Sequence, residues 1–312
     1  MKLAPSDPAN QVDPIPGILT YGSLNLLAGA SGVGKTCLLS WLLTRLRDGL
    51  DVFGRPVNAP TKIGFVCADR GAVTAEYWMD KAGYPDLPLY SLADDPQFLP
   101  PRLRSRTLLT TILGECLDKL RLPPGSLAVV DPISLFLGGN LMDYQSCAVA
   151  CIEIRRLCRA RHLTLIGTAH ASKQKSDKKE QYRRLQDRIL GSAAQLGYGD
   201  TQMYLASPEE TGEAFYSFLW HSHTSPPAVF PLGRNAEGLF IPWAESIEAA
   251  EEGNILANIP EDGTPVSYQL LLQLTGVSRA TLFRKLNDLI DAGILERAPD
   301  QAGWYQRRPP TV

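Results

Sequence analysis

The sequence predicts an α/β fold in which a mainly parallel sheet is followed by a small C-terminal unit. Short apolar runs alternate with segments of helical periodicity between residues 24 and 168. Runs that are apolar on both faces and separated by helices are typical of parallel strands covered on both sides. A glycine-rich segment follows the first run, and beyond residue 262 the pattern changes to two short helices and a final pair of strands.

The individual elements follow from these periodicities. The first strand is predicted at residues 24–28, and a helix from Lys35 to about Leu46 follows it. Further buried strands are predicted at 62–68, 127–130 and 163–168, with a helix over 144–161. Short strands at 203–205, 215–220 and 239–243 are expected to be antiparallel at one edge of the sheet.

Composition sets limits on the partners of the chain. The 312 residues include 31 Lys and Arg against 33 Asp and Glu, so the net charge of −2 gives no global field for a polyanion. Any nucleic-acid contact must come from a local patch. No run approaches the roughly 20 apolar residues of a membrane helix, and the N-terminus lacks the apolar core of a signal peptide. We therefore expect a soluble, cytoplasmic protein with no membrane contact, whose six cysteines are reduced core thiols and neither disulfides nor zinc ligands.

The chain divides into four predicted segments. Prolines at four positions predict an extended N-terminal arm over residues 1–17, before a large domain at 18–243. An acidic helical linker is expected at 244–262. Residues 263–312 resemble a winged helix, with one helix at 266–274, a second helix capped by Ser278, and a two-stranded wing at 294–308.

The segment from Gly29 to Thr36, GASGVGKT, matches the P-loop pattern. Its glycines let backbone N–H groups turn towards phosphate oxygens at a helix N-terminus, while Lys35 reaches the β and γ phosphates and Thr36 binds Mg²⁺. ATP and Mg²⁺ are therefore the expected cofactors. The alternative, a glycine-rich turn with an idle lysine, is disfavoured because the motif lies between a predicted strand and a predicted helix. The expected nucleotide contacts are Gly29, Ala30, Ser31, Gly32, Val33, Gly34, Lys35, Thr36 and Cys37.

A second acidic motif supports this interpretation. The apolar run at 127–130 ends in Asp131, which places a carboxylate at the edge of the sheet where α/β proteins bind ligands. Together with Thr36, Asp131 is predicted to hold the magnesium ion and its water shell. Without the P-loop, a buried strand that ends in a capping Asp is the simpler interpretation.

The order of these motifs resembles RecA-like P-loop ATPases. GASGVGKT, CAD ending in Asp69, VVDP around Asp131 and TAHASK around His170 follow one another in that order. The similarity spans residues 15–240 and is greatest to the RepA-type hexameric helicases of plasmids and related phage or plasmid ATPases. It implies a RecA core that assembles into rings or filaments with ATP between subunits, and a function as a DNA helicase or translocase in replication or recombination of a mobile element.

The resemblance also assigns roles to single residues. Asp69 stands where the family has a catalytic glutamate, so hydrolysis is expected to be slow; its alternative role is to cap a helix that starts near Thr74. His170 matches the γ-phosphate sensor, although a histidine at a strand end is often structural. The family supplies a Lys or Arg finger in trans from the segment at 220–226, where this chain has neither, which leaves His223 and Arg234 as candidates.

Two regions are candidates for DNA contact. Seven cations against three anions at 172–188 form a local patch suited to single-stranded DNA in a central channel, unless the run is simply a solvated loop. In the winged helix, Arg279, Arg284 and Lys285 are expected to face a major groove, with Arg307 and Arg308 on phosphates, although a neutral winged helix also serves to dock proteins. The candidates in the basic run are Lys173, Lys175, Lys178, Lys179, Arg183 and Arg184.

Two other functions remain open on the sequence. One is a nucleotide-switched scaffold that polymerises on DNA and recruits partners with little turnover, which the short acid at Asp69 and the unusual finger segment favour. The other is a winged-helix transcription regulator gated by ATP.

Overall fold

The computed structural model describes residues 12–69, 71–96, 106–137, 144–170, 199–222, 225–275, 277–299 and 301–308. The chain forms two compact units, Met1–Pro242 and Trp243–Val312. Each unit has its own hydrophobic core.

The large unit alternates strands and helices along most of its length. Its strands are β1 (Leu24–Gly29), β2 (Ile63–Cys67), β3 (Leu89–Ser91), β4 (Ser126–Asp131), β5 (Leu163–His170), β6 (Thr201–Ala206), β7 (Tyr216–Ser222), β8 (Ser225–Arg234) and β9 (Phe240–Pro242). Its helices are α1 (Lys35–Asp48), α2 (Val73–Lys81), α3 (Arg106–Lys119), α4 (Ser134–Leu137), α5 (Tyr144–Arg161) and α6 (Pro208–Thr211).

Among the described residues, the strands of this unit form one nine-stranded sheet in the order β3-β2-β4-β5-β1-β6-β7-β8-β9. The strands from β3 to β6 are parallel, whereas β7, β8 and β9 continue the sheet with antiparallel pairing. The ends of β1, β2, β4 and β5 therefore meet at one edge. This mainly parallel sheet confirms the predicted α/β class.

Helices cover both faces of the sheet. Alternate residues of β1 show the arrangement, since Leu27 packs in a cluster with α1 and α2, and Leu26 packs in a second cluster with α3 and α5. Because every residue of β1 and β2 is buried, these strands have the continuous apolar character of central parallel strands. The two cores fix the sheet edge from which the motif residues project.

The small unit combines three helices with a three-stranded sheet in its described part. Its elements are α7 (Trp243–Ala257), β10 (Val266–Ser267), α8 (Tyr268–Thr275), α9 (Arg279–Asp291), β11 (Leu295–Arg297) and β12 (Trp304–Arg307). The sheet order is β10-β12-β11, with both pairs antiparallel. Ser278 accepts a hydrogen bond from the Thr281 N–H, so it caps α9 as predicted. Ile255 of α7 and Ile259 belong to the core of this unit, although the sequence places them in a linker.

Several elements differ from the sequence prediction, among them β3, α3 and β8, which the sequence did not predict. Strand β8 contains Pro226, Pro227 and Pro231, which lack N–H donors and therefore weaken any strand pattern. In the small unit, the helix expected to begin at residue 266 begins two residues later, because 266–267 pair with β12 as a short strand.

All six cysteines are buried free thiols. Within the residues that the structure describes, none of the helices has the length and apolar content that a membrane crossing requires.

Candidate functional site

The P-loop forms the turn from β1 to α1. Gly32 and Gly34 have φ values of 80° and 106°, in the left-handed region that side chains with a Cβ rarely adopt. Gly34 directly precedes Lys35, the first residue of α1. The glycines of the motif are therefore needed to bring the chain into the helix with its first N–H groups open to an anion.

Lys35 lies across this turn and is only 7% exposed. Its Nζ donates to the carbonyl oxygens of Gly29 at 2.9 Å and Ala30 at 3.0 Å. The same Nζ lies 3.5 Å from Nδ1 of His170, at the end of β5. The ammonium group is thus held over the P-loop by neutral oxygens, at the place where phosphate oxygens bind in this type of loop.

Thr36 and Asp131 meet between α1 and β4. The Thr36 hydroxyl donates to Oδ2 of Asp131 at 2.9 Å, and the Thr168 hydroxyl donates to the other carboxylate oxygen. A hydroxyl and a carboxylate beside a phosphate site are the hard oxygen ligands that Mg²⁺ uses, partly through its own waters. These residues therefore fit the predicted ion.

The end of β2 closes the other side of a cleft of about 260 Å³. Asp69 lines this cleft together with Lys35, Thr36, Asp131 and His170. The Cys67 thiol lies at the same strand end, where burial, with a further contribution from Asp131 and neighbouring carboxylates, raises its pKa to about 12. The predicted site residues of four different segments thus share one cavity.

The start of α2 bears on the alternative role of Asp69. Helix α2 begins at Val73, and the N–H of Ala72 donates to Oδ2 of Asp94 at 3.3 Å. Asp94 also lies against Gly71, within 3.3 Å of where a Cβ would stand. Asp94 therefore occupies the capping position that the sequence left open for Asp69, and Asp69 faces the cleft.

Arg234, at the end of β8, lies at the P-loop of its own chain. Its Nη1 donates to the Gly238 carbonyl at 2.6 Å and contacts the Cys37 Sγ at 3.5 Å. The guanidinium stacks over Phe240 at 4.2 Å from the ring centroid and leaves no room for a Cβ on Gly34. This position differs from that expected of a finger that reaches into a neighbouring subunit. The other finger candidate, His223, lies outside the described residues.

The basic run cannot be placed on the fold in the same way. Its six candidate residues lie outside the described part of the chain: Lys173, Lys175, Lys178, Lys179, Arg183 and Arg184. The run starts directly after β5, the strand that carries His170.

The small unit requires a correction for Lys285. This side chain is 2% exposed and its Nζ lies 2.7 Å from Oε1 of Glu252 on α7, so it belongs to the interior and does not face a DNA groove. Burying a lysine charge is costly unless it is paired, and Glu252 supplies that pair. Arg279 and Arg284 are exposed on α9, as predicted.

Arg307 is also structural. Its guanidinium donates to the carbonyl oxygens of Leu256 and Ile259 at 2.8 Å and 3.2 Å. These carbonyls lie at the C-terminal end of α7, where helices have unsatisfied acceptors. The wing residue therefore stabilises a helix end, and the predicted phosphate contact by Arg307 is wrong.

Together, the sheet topology, the P-loop at the end of β1 and the acid at the end of β4 define a RecA-like P-loop ATPase. Residues 2–176 match the profile of the family AAA_25, described as AAA domain, and the chain belongs to this family. None of the curated proteins matches the chain.

Solved structures with a related fold include one described as an ATPase domain, with 13% identity, a TM-score of 0.47, and coverage of 70% of this chain and 84% of that one. They also include the KaiC-like protein PH0186 from Pyrococcus horikoshii OT3, with 14% identity, a TM-score of 0.46, and coverage of 73% and 94%.

Sequence reasoning missed Thr168 and Asp94. Thr168 lies in the quoted segment TAHASK, where a polar residue inside a buried strand was a signal that went unused. Asp94 follows β3, which the sequence did not predict, so nothing in the chain order linked it to α2.

Proposed function

We propose that the protein binds Mg²⁺ and ATP in this cleft and couples ATP hydrolysis to movement on DNA, as an oligomeric helicase or translocase in replication or recombination of a mobile element. The observation that carries the proposal is the convergence of Lys35, Thr36 and Asp131 at one sheet edge. Membership of the AAA-domain family supports the ATPase part.

Each residue of the cleft has a separate task in this proposal. The P-loop N–H groups and Lys35 bind the phosphates, while Thr36 and Asp131 hold the magnesium ion, which neutralises phosphate charge when bound. Asp69, which lines the cleft opposite the P-loop, accepts the proton of the attacking water. His170 lies 3.5 Å from Lys35, so a change in the γ-phosphate reaches β5 and the chain that follows it.

Arg234 favours a second candidate function, a nucleotide-switched scaffold with slow turnover. Its guanidinium is held by Gly238, Cys37 and Phe240 beside the P-loop of the same chain. An arginine in this place supports binding of the nucleotide in cis, whereas fast hydrolysis in ring enzymes depends on a cation supplied in trans at the γ-phosphoryl group. Of the two predicted candidates, only Arg234 has a described position.

DNA contact is proposed at two places. The basic run after His170 would bind single-stranded DNA, and the exposed Arg279 and Arg284 on α9 would bind duplex DNA if residues 263–312 act as a winged helix. The same helix face serves a partner protein in the alternative arrangement.

Three measurements on the full chain separate these functions. Steady-state ATPase activity, strand displacement and electron microscopy of assemblies are each carried out with and without single-stranded DNA. DNA-stimulated hydrolysis with strand displacement supports the helicase, whereas filaments with slow hydrolysis and no displacement support the scaffold. Failure of the wild type to bind ATP contradicts both.

A substitution set tests the basic run. Replacing Lys173, Lys175, Lys178 and Lys179 with Ala should flatten the salt dependence of single-stranded DNA binding by about 0.7 for each phosphate contact that is lost. The matched control is Arg279→Ala with Arg284→Ala, which removes cations from the small unit. An unchanged salt slope in the lysine variant assigns DNA binding to another surface.

A further inference from the structure

Thr168 is a buried polar residue that none of the roles above uses. It lies on β5 two residues before His170 and is 0% exposed. Its hydroxyl donates to Oδ1 of Asp131, while Oδ2 of the same carboxylate accepts from Thr36. The two carboxylate oxygens are therefore held from two different elements, β5 and α1.

The main chain strengthens the contact between β5 and the turn after β4. The N–H of Ile133 donates to the Thr168 carbonyl at 2.8 Å. The Ile133 side chain lies so close to Gly167 that a Cβ there would stand 2.6 Å from it. The side chain of Asp131 and the main chain two residues later are thus both fixed to the same short part of β5.

The two hydroxyl contacts differ in what magnesium binding does to them. Thr36 is itself a predicted metal ligand, so its hydroxyl must turn from Asp131 towards the ion. Thr168 lies behind the carboxylate, in the sheet, and keeps its hydrogen bond. Partners of this kind, which hold a metal-binding group without touching the metal, set the orientation of that group.

We propose that Thr168 is the positioning residue for Asp131, keeping its carboxylate aimed at the magnesium ion after Thr36 has turned away. This inference rests on the proposed function, because it needs a nucleotide site that uses Mg²⁺. It adds a residue that contacts neither nucleotide nor metal, and it links the metal-binding carboxylate to the strand that ends in His170.

The test compares two buried threonines of the same strand. Thr164 is 1% exposed, lies four residues before Thr168, and donates its hydroxyl to the Thr20 carbonyl at 3.3 Å. Binding of a fluorescent ATP analogue to the full chain is titrated with Mg²⁺ and repeated in EDTA, for the wild type and for Thr168→Val, Thr168→Ser and Thr164→Val.

We expect Thr168→Val to raise the Mg²⁺ concentration at half-saturation about tenfold, in the range found for residues that orient metal ligands. Its affinity for the analogue in EDTA should stay within about twofold of the wild type, since no phosphate contact is removed. Thr168→Ser retains the hydroxyl and Thr164→Val lacks the link to Asp131, so both should titrate like the wild type. Turnover of Thr168→Val should recover as Mg²⁺ is raised.

An unshifted titration for Thr168→Val, or an equal shift for Thr164→Val, overturns the positioning role. If Thr168→Val does not fold, Thr168→Ala is titrated in its place, and a normal half-saturation point in that variant also overturns the proposal. If the wild type shows no Mg²⁺-dependent binding, the proposed function itself has failed, which is a different result from a normal wild type with an unaffected variant.

Discussion

The nucleotide cleft and the small unit each contain a buried lysine, and the two are buried for different reasons. Lys35 is 7% exposed and donates to main-chain carbonyls of the P-loop, whereas Lys285 is 2% exposed and faces the carboxylate of Glu252. Neutral carbonyls position a cation while leaving its charge available to an incoming anion. A carboxylate at 2.7 Å neutralises that charge within the protein.

The partner of a buried cation, more than its burial, therefore indicates its role. A lysine held by carbonyls beside open helix N–H groups is suited to bind phosphate. A lysine paired with a carboxylate between two helices joins those helices. Substitutions in the cleft should accordingly change nucleotide binding and turnover, whereas substitution of the paired lysine should change stability.

The largest effect is expected for Lys35→Ala. Removing the ammonium group should abolish measurable ATP binding, because charge-assisted contacts to the β and γ phosphates are lost. The fold should remain, since the hydrogen bonds from Nζ to the Gly29 and Ala30 carbonyls lie at the surface of the cleft. Binding of a fluorescent ATP analogue and circular dichroism measure both properties. Tight ATP binding by this variant would contradict the P-loop assignment.

The second effect concerns Asp69 and uses Asp94 as its control. Asp69→Asn should lower kcat by about 10²–10⁴-fold, as expected for the loss of a general base. Asp94→Asn should cost little, because Asn accepts a hydrogen bond from a helix N-terminus nearly as well as Asp. Asp69→Glu should raise kcat if the added methylene brings the carboxylate over the γ-phosphate. Near-normal hydrolysis by Asp69→Asn would remove this residue from the mechanism.

The third effect separates cis from trans action of Arg234. Arg234→Ala should weaken nucleotide binding about tenfold, as expected when a hydrogen bond to a charged group is lost. Mixing it with Lys35→Ala subunits distinguishes the two arrangements. A cis residue leaves every mixed site defective, so we expect no recovery of ATPase activity. Recovery in the mixture means that an intact P-loop is completed by Arg234 of a neighbouring subunit.

The smallest effect is expected for Lys285→Met, which keeps the apolar stem and removes the charge. Denaturant unfolding should show a loss of about 1–2 kcal/mol in the small unit, because Glu252 loses its charged partner but stays partly hydrated. Affinities for ATP and DNA should not change, in contrast to Arg279→Ala with Arg284→Ala. A weaker salt dependence of DNA binding in Lys285→Met would return this residue to the DNA-facing surface.

The sequence by itself determined the features that depend on residues close together in the chain. The pattern GASGVGKT specifies the P-loop because glycines supply the positive φ values and Lys35 and Thr36 follow within two residues. The apolar runs that became β1, β2, β4 and β5 specified a parallel sheet, and this brought Asp69, Asp131 and His170 to the same edge.

Only the tertiary structure decided which side chains meet across long sequence distances. Lys285 and Glu252 are 33 residues apart, and Arg234 and Cys37 are 197 apart, so neither contact has a local pattern. The pairing of the proline-rich β8 with β7 carries Arg234 to the P-loop. The hydroxyl of Thr168 likewise reaches Asp131 only because β5 lies beside β4. A sequence pattern records the burial of a residue, whereas the partner that satisfies its charge or hydrogen bond depends on the packing of distant elements.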